Sequence, residues 1–394
     1  MFQRRQYAQV IERLKEPRRF MQVLAGPRQV GKSTLMGQVL DDISIPHQLE
    51  NADQVPVDDT DWIRRVWESA RANMMLGGAS EYLLVIDEIQ KIENWSEAVK
   101  REWDADTTSH LNLKVVLLGS SRLLLRKGLR ESLAGRFELI RMEHWSLAEM
   151  QEAFGWTLDQ YIYFGGYPGA SQLISNENRW RRYVKDSLVG PAIEKDVVLT
   201  SKIYKPALMR QLFEIGCSYS SELLSLTKVM GQLQDVGNVT TLASYLNILG
   251  ECTLLTGLQK YAEDDARKYS SVPKFQVYNN ALLTAYKAKS SEGVRSDPQK
   301  WGRWVESAVG AHLLAQAEEL DYKVYYWRNR DLEVDFILRS SEQLIAIEVK
   351  SGRRGMNSGL PEFTKRYHPT RTLVVGTSGI PLENFLSSSI APLV

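Results

Sequence analysis

The segment Gly26-Pro27-Arg28-Gln29-Val30-Gly31-Lys32-Ser33 has the spacing at which main-chain amides wrap an anion: two glycines bracket four residues, and a lysine and a hydroxyl follow. The glycines let successive N–H groups turn inward around β- and γ-phosphates, and the start of a following helix adds positive potential. Lys32 would neutralise phosphate charge and the Ser33 hydroxyl would ligate Mg2+. The expected nucleotide contacts are therefore Gly26, Pro27, Arg28, Gln29, Val30, Gly31, Lys32, Ser33 and Thr34. Downstream, Tyr82-Leu83-Leu84-Val85-Ile86-Asp87-Glu88 reads as an apolar strand ending in two acids. Asp87 would join Ser33 in the metal shell, and Glu88 would polarise the attacking water. A third strand, Lys114–Leu118, runs into Gly119-Ser120-Ser121-Arg122, where Ser120, preferred over Ser121, could hold that water from between the two earlier motifs. The arginines that follow, Arg122, Arg126, Arg130 and Arg136, include candidates for a group that a neighbouring subunit inserts to stabilise charge on the transferring phosphoryl.

A second constellation lies near the other end. Strand periodicity puts Glu333, Asp335 and Ile337 on one face of Leu332–Leu338, and Glu348 and Lys350 on one face of Leu344–Lys350. A hairpin turning symmetrically about Ser341-Glu342 sets Asp335 opposite Glu348. Two carboxylates so placed repel unless a cation lies between them, so Asp335 and Glu348 are expected metal ligands. Lys350 would orient water or phosphate. Asp335, Glu348 and Lys350 form the D…(D/E)-x-K pattern of restriction-endonuclease-like nucleases. Glu306 fits the further acid that a preceding helix supplies there, on a helix whose buried side is Trp301, Trp304, Val305, Ala308 and Val309. The implied chemistry is metal-assisted phosphodiester cleavage.

The elements that must carry these groups read as α/β. Apolar runs Phe20–Ala25, His47–Asn51, Tyr82–Asp87, Val115–Gly119 and Phe137–Arg141 alternate with helical patterns, as in a mostly parallel sheet. Helical sequence from Ser146 to Ser201 is interrupted by Gly165-Gly166-Tyr167-Pro168-Gly169, a helix-ending turn. Two helices, Glu222–Leu233 and Thr240–Gly250, the latter capped by a threonine, precede a hairpin-like stretch ending at Tyr261. Linkers are expected near Pro206 and Ser290–Pro298. A chain of 394 residues exceeds one hydrophobic core. A net charge of +1 gives no global field for nucleic acid, so a polyanion must meet local clusters such as Lys350, Arg353, Arg354, Lys365, Arg366 and Arg371. Cys217 and Cys252 are too few for a disulfide framework, the five histidines lack ligand spacing, and no window supplies the about 18 apolar residues of a membrane span. A cytoplasmic protein is the expectation.

Gly26–Thr34, Leu83–Gln90, Gly119–Arg122, Ser132-Leu133-Ala134-Gly135-Arg136 and Gly165–Pro168 together resemble a large prokaryotic family of AAA+ ATPases, similar to STAND-type and origin-recognition-like ATPases in the N-terminal half. The resemblance covers nearly the whole chain. It implies an AAA+ core with helical lid over 1–200, a winged helix over 201–275 and a restriction-endonuclease-like domain over 276–394. It also implies that Pro168 packs on the adenine and that Arg136 is the finger or sensor arginine. The expectation is an ATPase using ATP and Mg2+, an arginine-completed homo-oligomer, hexameric if it closes as a ring. It would act on DNA ends, forks or junctions with a metal-dependent nuclease-like domain attached. The alternative is a nucleotide-dependent switch or adaptor whose rear domains only bind partners. The helix Thr240–Gly250 favours it, since Asn247 is its only side chain of the type that reads DNA.

Overall fold

The computed structural model describes residues 2–119, 132–194, 203–233, 238–263, 271–352 and 358–393. They form two compact units, Met1–Glu143 and His144–Val394. The first division thus falls at Glu143, and the helices expected as a lid to the first domain belong to the second unit.

The first unit is a parallel sheet of β1 (Met21–Ala25), β2 (His47–Asn51), β3 (Tyr82–Asp87), β4 (Leu113–Gly119) and β5 (Phe137–Arg141), in the order β2-β3-β4-β1-β5. All five are the strands read from the sequence, with β1 one residue shorter and β4 two residues longer at the start. Every residue of β1, β3 and β4 is buried, as strands covered on both faces require, whereas the edge strand β2 alternates. The register brings the strand ends into line: Ala25 pairs with both Gly119 and Arg141, and Asn51 pairs with Asp87. In such sheets the ligand edge is the carboxyl edge, where each loop leaves its strand. Helices Trp62–Leu76 and Trp95–Thr108 pack Trp67, Trp95 and Trp103 into one core with the sheet. The buried Asp106 is satisfied there by Trp67 Nε1 at 2.7 Å and Arg71 Nε at 2.7 Å, and Arg71 also reaches Glu102 at 2.8 Å. A buried carboxylate held by two donors pins one helix to the other.

The second unit begins with helices Leu147–Phe154 and Leu158–Phe164, each started by a capping box, Ser146 with Glu149 and Thr157 with Gln160. Helix Pro206–Ser218 follows. The next helix is shorter than expected, Leu226–Met230, and the one after it, Val239–Glu251, is capped by Asn238, not by a threonine. The Asn238 side-chain Oδ1 accepts from the Thr241 amide at 2.6 Å, so the cap lies two residues before Thr240. A small antiparallel sheet joins β6 (Glu222–Leu223), β7 (Leu255–Leu258) and β8 (Lys274–Val277), with β8 central.

The long helix Pro298–Ala317 leads into a four-stranded sheet of β9 (Lys323–Asn329), β10 (Leu332–Arg339), β11 (Leu344–Lys350) and β12 (Arg371–Gly376), ordered β12-β11-β10-β9. The β10–β11 hairpin has the expected register, pairing Phe336 with Ile347 and Arg339 with Leu344. The expected shared face of Glu333, Asp335 and Ile337 is corrected by a bulge. Between Val334 and Ile337, β10 advances three residues while β9 advances two. A bulge breaks the period of two. Val334 and Ile337 therefore share one face, in a core with Trp327, Ala346 and Phe363.

Candidate active site

In the first unit the anion loop grows out of β1 where the chain has no room for a side chain. A Cβ on Gly26 would lie 1.9 Å from the Met142 carbonyl oxygen, which belongs to the chain leaving β5. Gln29 and Gly31 have φ of 57° and 92°, so the loop passes through the left-handed region twice before helix Lys32–Asp42 starts at Gly31. Lys32 is buried, and its ammonium donates to the Gly26 and Pro27 carbonyls at 3.0 and 2.8 Å. Behind the loop, the buried Arg4 guanidinium donates to the Val30 and Glu143 carbonyls, both at 3.0 Å. Arg4 is a positioning residue that the motif could not reveal, because it lies 22 residues upstream of Gly26.

Asp87 ends β3 two strands from the loop strand, and β4 runs between them. Gly119, the last residue of β4, therefore emerges between the two motifs, where the sequence placed the water-holding residue. Ser120 itself, with Ser121, Arg122, Arg126 and Arg130, lies outside the described residues. The Ser33 hydroxyl donates to Asp87 Oδ2 at 2.6 Å, and the Glu88 amide donates to Asp87 Oδ1 at 2.8 Å. Hydroxyl and carboxylate side by side are hard oxygen donors, the donor type Mg2+ takes, so the residues fit that ion. Glu88 adopts φ 55°, a strained conformation for a glutamate, and Gln90 Nε2 donates to Glu88 Oε2 at 2.6 Å. Gln90 thus orients the carboxylate expected to polarise water, a role no spacing rule announced.

Arg136 lies just before β5 and is forked onto Asp104, with Nε to Oδ1 at 2.7 Å and Nη2 to Oδ2 at 2.9 Å. That bond holds the Asp104 carboxyl below its ordinary value and raises Arg136 above its own. Pro168 lies in the second unit, where it opens a short 3-10 helix, Pro168–Leu173. Its preceding glycines are explained inside that unit. Gly165 ends helix Leu158–Phe164 at φ 70°, ψ −164°, and the Gly166 amide donates to Asn279 Oδ1 at 3.0 Å.

The carboxylates of the second unit do gather, but around a residue the sequence had not singled out. Lys274 of β8 is fully buried, with its ammonium 2.5 Å from Glu306 Oε1 and 3.1 Å from Glu333 Oε1. It donates to the Asp335 carbonyl at 3.3 Å and lies 4.0 Å from Asp335 Oδ1. Asp335 Oδ2 accepts from the Val349 amide at 2.7 Å. Glu348 is engaged separately, by the Lys350 ammonium and the Ser358 hydroxyl. Burial, then the neighbouring Glu306 charge, pushes Asp335 up to about 8, and burial likewise raises Glu306. For Lys274 burial acts to lower the value, but the attraction of Glu306, Asp335 and Glu333 outweighs it and the ammonium stays charged. Asp335 and Glu348, expected to share a metal, thus have different partners here, the Val349 amide and Lys274 for the one and Lys350 and Ser358 for the other. Among the described residues no group of three or more His, Cys, Asp or Glu side chains is arranged to hold a metal ion. Arg353 and Arg354 of the basic cluster lie outside the described residues, while Lys365, Arg366 and Arg371 are exposed.

Comparison with known proteins follows the same division. The model of an AAA domain matches residues 18–151, and two domains of unknown function, DUF8612 and DUF4143, match residues 155–293 and 301–386. No curated protein matches the chain. Among solved structures, a Walker-type ATPase of Pyrococcus abyssi aligns at a TM-score of 0.50 and 15% identity, over 73% of this chain and 96% of its own. A katanin self-assembly structure aligns at 0.27 and 20% identity, over 39% of this chain and 49% of that one. A structure of Pif1 helicases at forked double-stranded DNA aligns at 0.28 and 12% identity, over 36% and 44%. The last two are too distant to bear on the fold. No helix among the described residues is long and apolar enough to cross a membrane. The likeness to the Pyrococcus protein is one of fold, and with the loop, the strand order and the Ser33–Asp87 pair it makes the sheet of the first unit that of the P-loop ATPase fold, in the stretch that the AAA-domain model matches.

Proposed function

We propose that the first unit binds ATP with Mg2+ and hydrolyses it. The observation that carries this reading is the Ser33–Asp87 pair, with the oriented carboxylate of Glu88 on the adjacent residue. Ser33 and Asp87 would hold Mg2+, which when bound offsets charge on the phosphates. The main chain from Gly26 to Gly31 cradles those phosphates, and Lys32 exchanges its loop carbonyls for phosphate oxygens. Glu88 accepts the proton of the attacking water, its carboxylate oriented by Gln90. Arg136 of one copy, released from Asp104, completes the site of another and makes the active form a homo-oligomer.

The action of this ATPase is on DNA, ends, forks or junctions, through the exposed Lys365, Arg366 and Arg371 of the second unit. A second reading, a nucleotide-dependent adaptor, is favoured by the helix Val239–Glu251, which presents no Lys or Arg. The test is ATP turnover by wild type and Glu88→Gln, each with and without forked DNA at low salt. Glu88→Gln should retain ATP binding and lose at least about 100-fold in turnover. Unchanged turnover removes Glu88 from its role, and wild-type turnover and binding indifferent to DNA leave the adaptor reading standing.

A further inference from the structure

We propose that the carboxylate cluster of the second unit is closed by an internal cation, the Lys274 ammonium, and takes no divalent metal, so that the Asp335…Glu348-x-Lys350 pattern serves here as architecture and not as a phosphodiester-cleaving centre. The inference is independent of the ATP site.

An ammonium has three N–H donors and no acceptor. Lys274 has three oxygens to meet them, Glu306 Oε1 at 2.5 Å, Glu333 Oε1 at 3.1 Å and the Asp335 carbonyl at 3.3 Å. Each acid that a metal would need is committed elsewhere. Glu306 points at Lys274, Asp335 Oδ2 takes the Val349 amide, and the two oxygens of Glu348 take Lys350 and Ser358. A divalent ion entering among them would meet a buried positive charge a few ångströms away and would have to break these contacts first. The fit to a metal therefore fails on the donor set itself.

The lysine also lies outside the elements that supply the acids. Lys274 is in β8, Glu306 is in helix Pro298–Ala317, and Glu333 and Asp335 are in β10. The bulge at Asp335 brings Glu333, the Asp335 carbonyl and the Phe336 ring to the same ammonium, with the ring centroid 5.2 Å from Nζ. One buried charge thus ties three elements together, and its cost is met only because every donor has a partner.

The probe is Mn2+, titrated into the full chain without nucleotide and followed by the paramagnetic signal of the free ion, for wild type and Asp335→Asn. Asp335→Asn is isosteric and leaves Lys274 paired with Glu306 and Glu333, so it should fold. Superimposable titrations, and no metal-dependent nicking of supercoiled DNA that depends on Asp335, are expected. A Mn2+ site present in wild type and weakened tenfold or more in Asp335→Asn, or cleavage lost with it, overturns the proposal. The charge-balanced double variant Lys274→Met, Glu306→Gln, checked for folding by circular dichroism, should gain Mn2+ affinity of at least tenfold by opening the cluster. A folded double variant with wild-type affinity would refute the assignment of Lys274 as the excluding cation.

Discussion

Replacing Gly165 by alanine separates a structural role for the Gly165-Gly166-Tyr167-Pro168 turn from a nucleotide-binding one. Gly165 sits at φ 70°, ψ −164°, a conformation essentially confined to glycine, and a side chain there costs about 1–3 kcal/mol before any contact is counted. The added Cβ would also lie 2.0 Å from Asn279 Oδ1 and 2.4 Å from the Ala281 amide nitrogen. Asn279 has little room to yield. Its Oδ1 accepts from the Ala281 amide at 3.1 Å, capping helix Asn280–Lys287, and from the buried Gly166 amide at 3.0 Å. Losing the cap costs about 1 kcal/mol and orphaning the buried amide about 1–3 kcal/mol. Together these give roughly 3–7 kcal/mol, a large share of the stability of one domain. Calorimetry of the full chain should show the transition of the second unit moved down sharply in Gly165→Ala, while a fluorescent ATP analogue binds the folded protein with unchanged affinity. Undiminished stability together with a tenfold loss of ATP affinity would refute this reasoning and return the turn to the adenine, as the family resemblance implies for Pro168.

Two further outcomes follow from the charges. Burial pushes His312 down to about 4 from an ordinary 6.5, so between these values the unfolded chain binds a proton that the folded chain does not. The stability this represents is complete above pH 6.5 and is lost as pH falls towards 4, up to about 3 kcal/mol; the advantage of wild type over His312→Gln in urea unfolding should shrink by that amount between pH 7 and pH 4, and a constant difference contradicts it. Asp104→Asn frees the half-exposed Arg136 fork and should cost less than about 1 kcal/mol in thermal unfolding. It should leave ATP turnover at or above wild type, whereas Arg136→Ala should lower turnover at least about 100-fold; equal losses in both variants would make the pair purely structural.

The first unit was legible because its signals are local. A strand buried on both faces is a continuous apolar run, and β1, β3 and β4 announce themselves as such. The phosphate loop and the Asp87–Glu88 turn are fixed by backbone demands within a few residues, so their sequence carries their geometry. What stayed hidden were the supports. Arg4 reaches the Val30 carbonyl from the chain before helix Gln6–Lys15, and Gln90 is no different from any polar residue of a loop until Glu88 turns towards it. Packing hides such residues, since their partners are set by the fold and not by spacing.

The second unit was harder for a physical reason of a different kind. Its hairpin register was legible, because a symmetric turn about Ser341-Glu342 leaves one pairing for two alternating strands. Its faces were not, because one extra residue in β10 inverts the alternation from Asp335 onward, and nothing in Leu332–Leu338 distinguishes a bulged strand from a regular one. β9 and β12 were missed because mixed strands such as Lys323–Asn329 do not show a clean period of two. The decisive residue was missed for a related reason. The acids that gather are Glu306, Glu333 and Asp335, not the Asp335–Glu348 pair across the hairpin, and the sequence cannot tell an ion drawn from solvent from an ammonium delivered by β8. A lysine 59 residues before Glu333 looks like any solvated lysine until burial leaves it no other role. The acid pattern therefore establishes that positive charge is needed at this point of the fold, and the folding of β8 against helix Pro298–Ala317 decides that the chain supplies it.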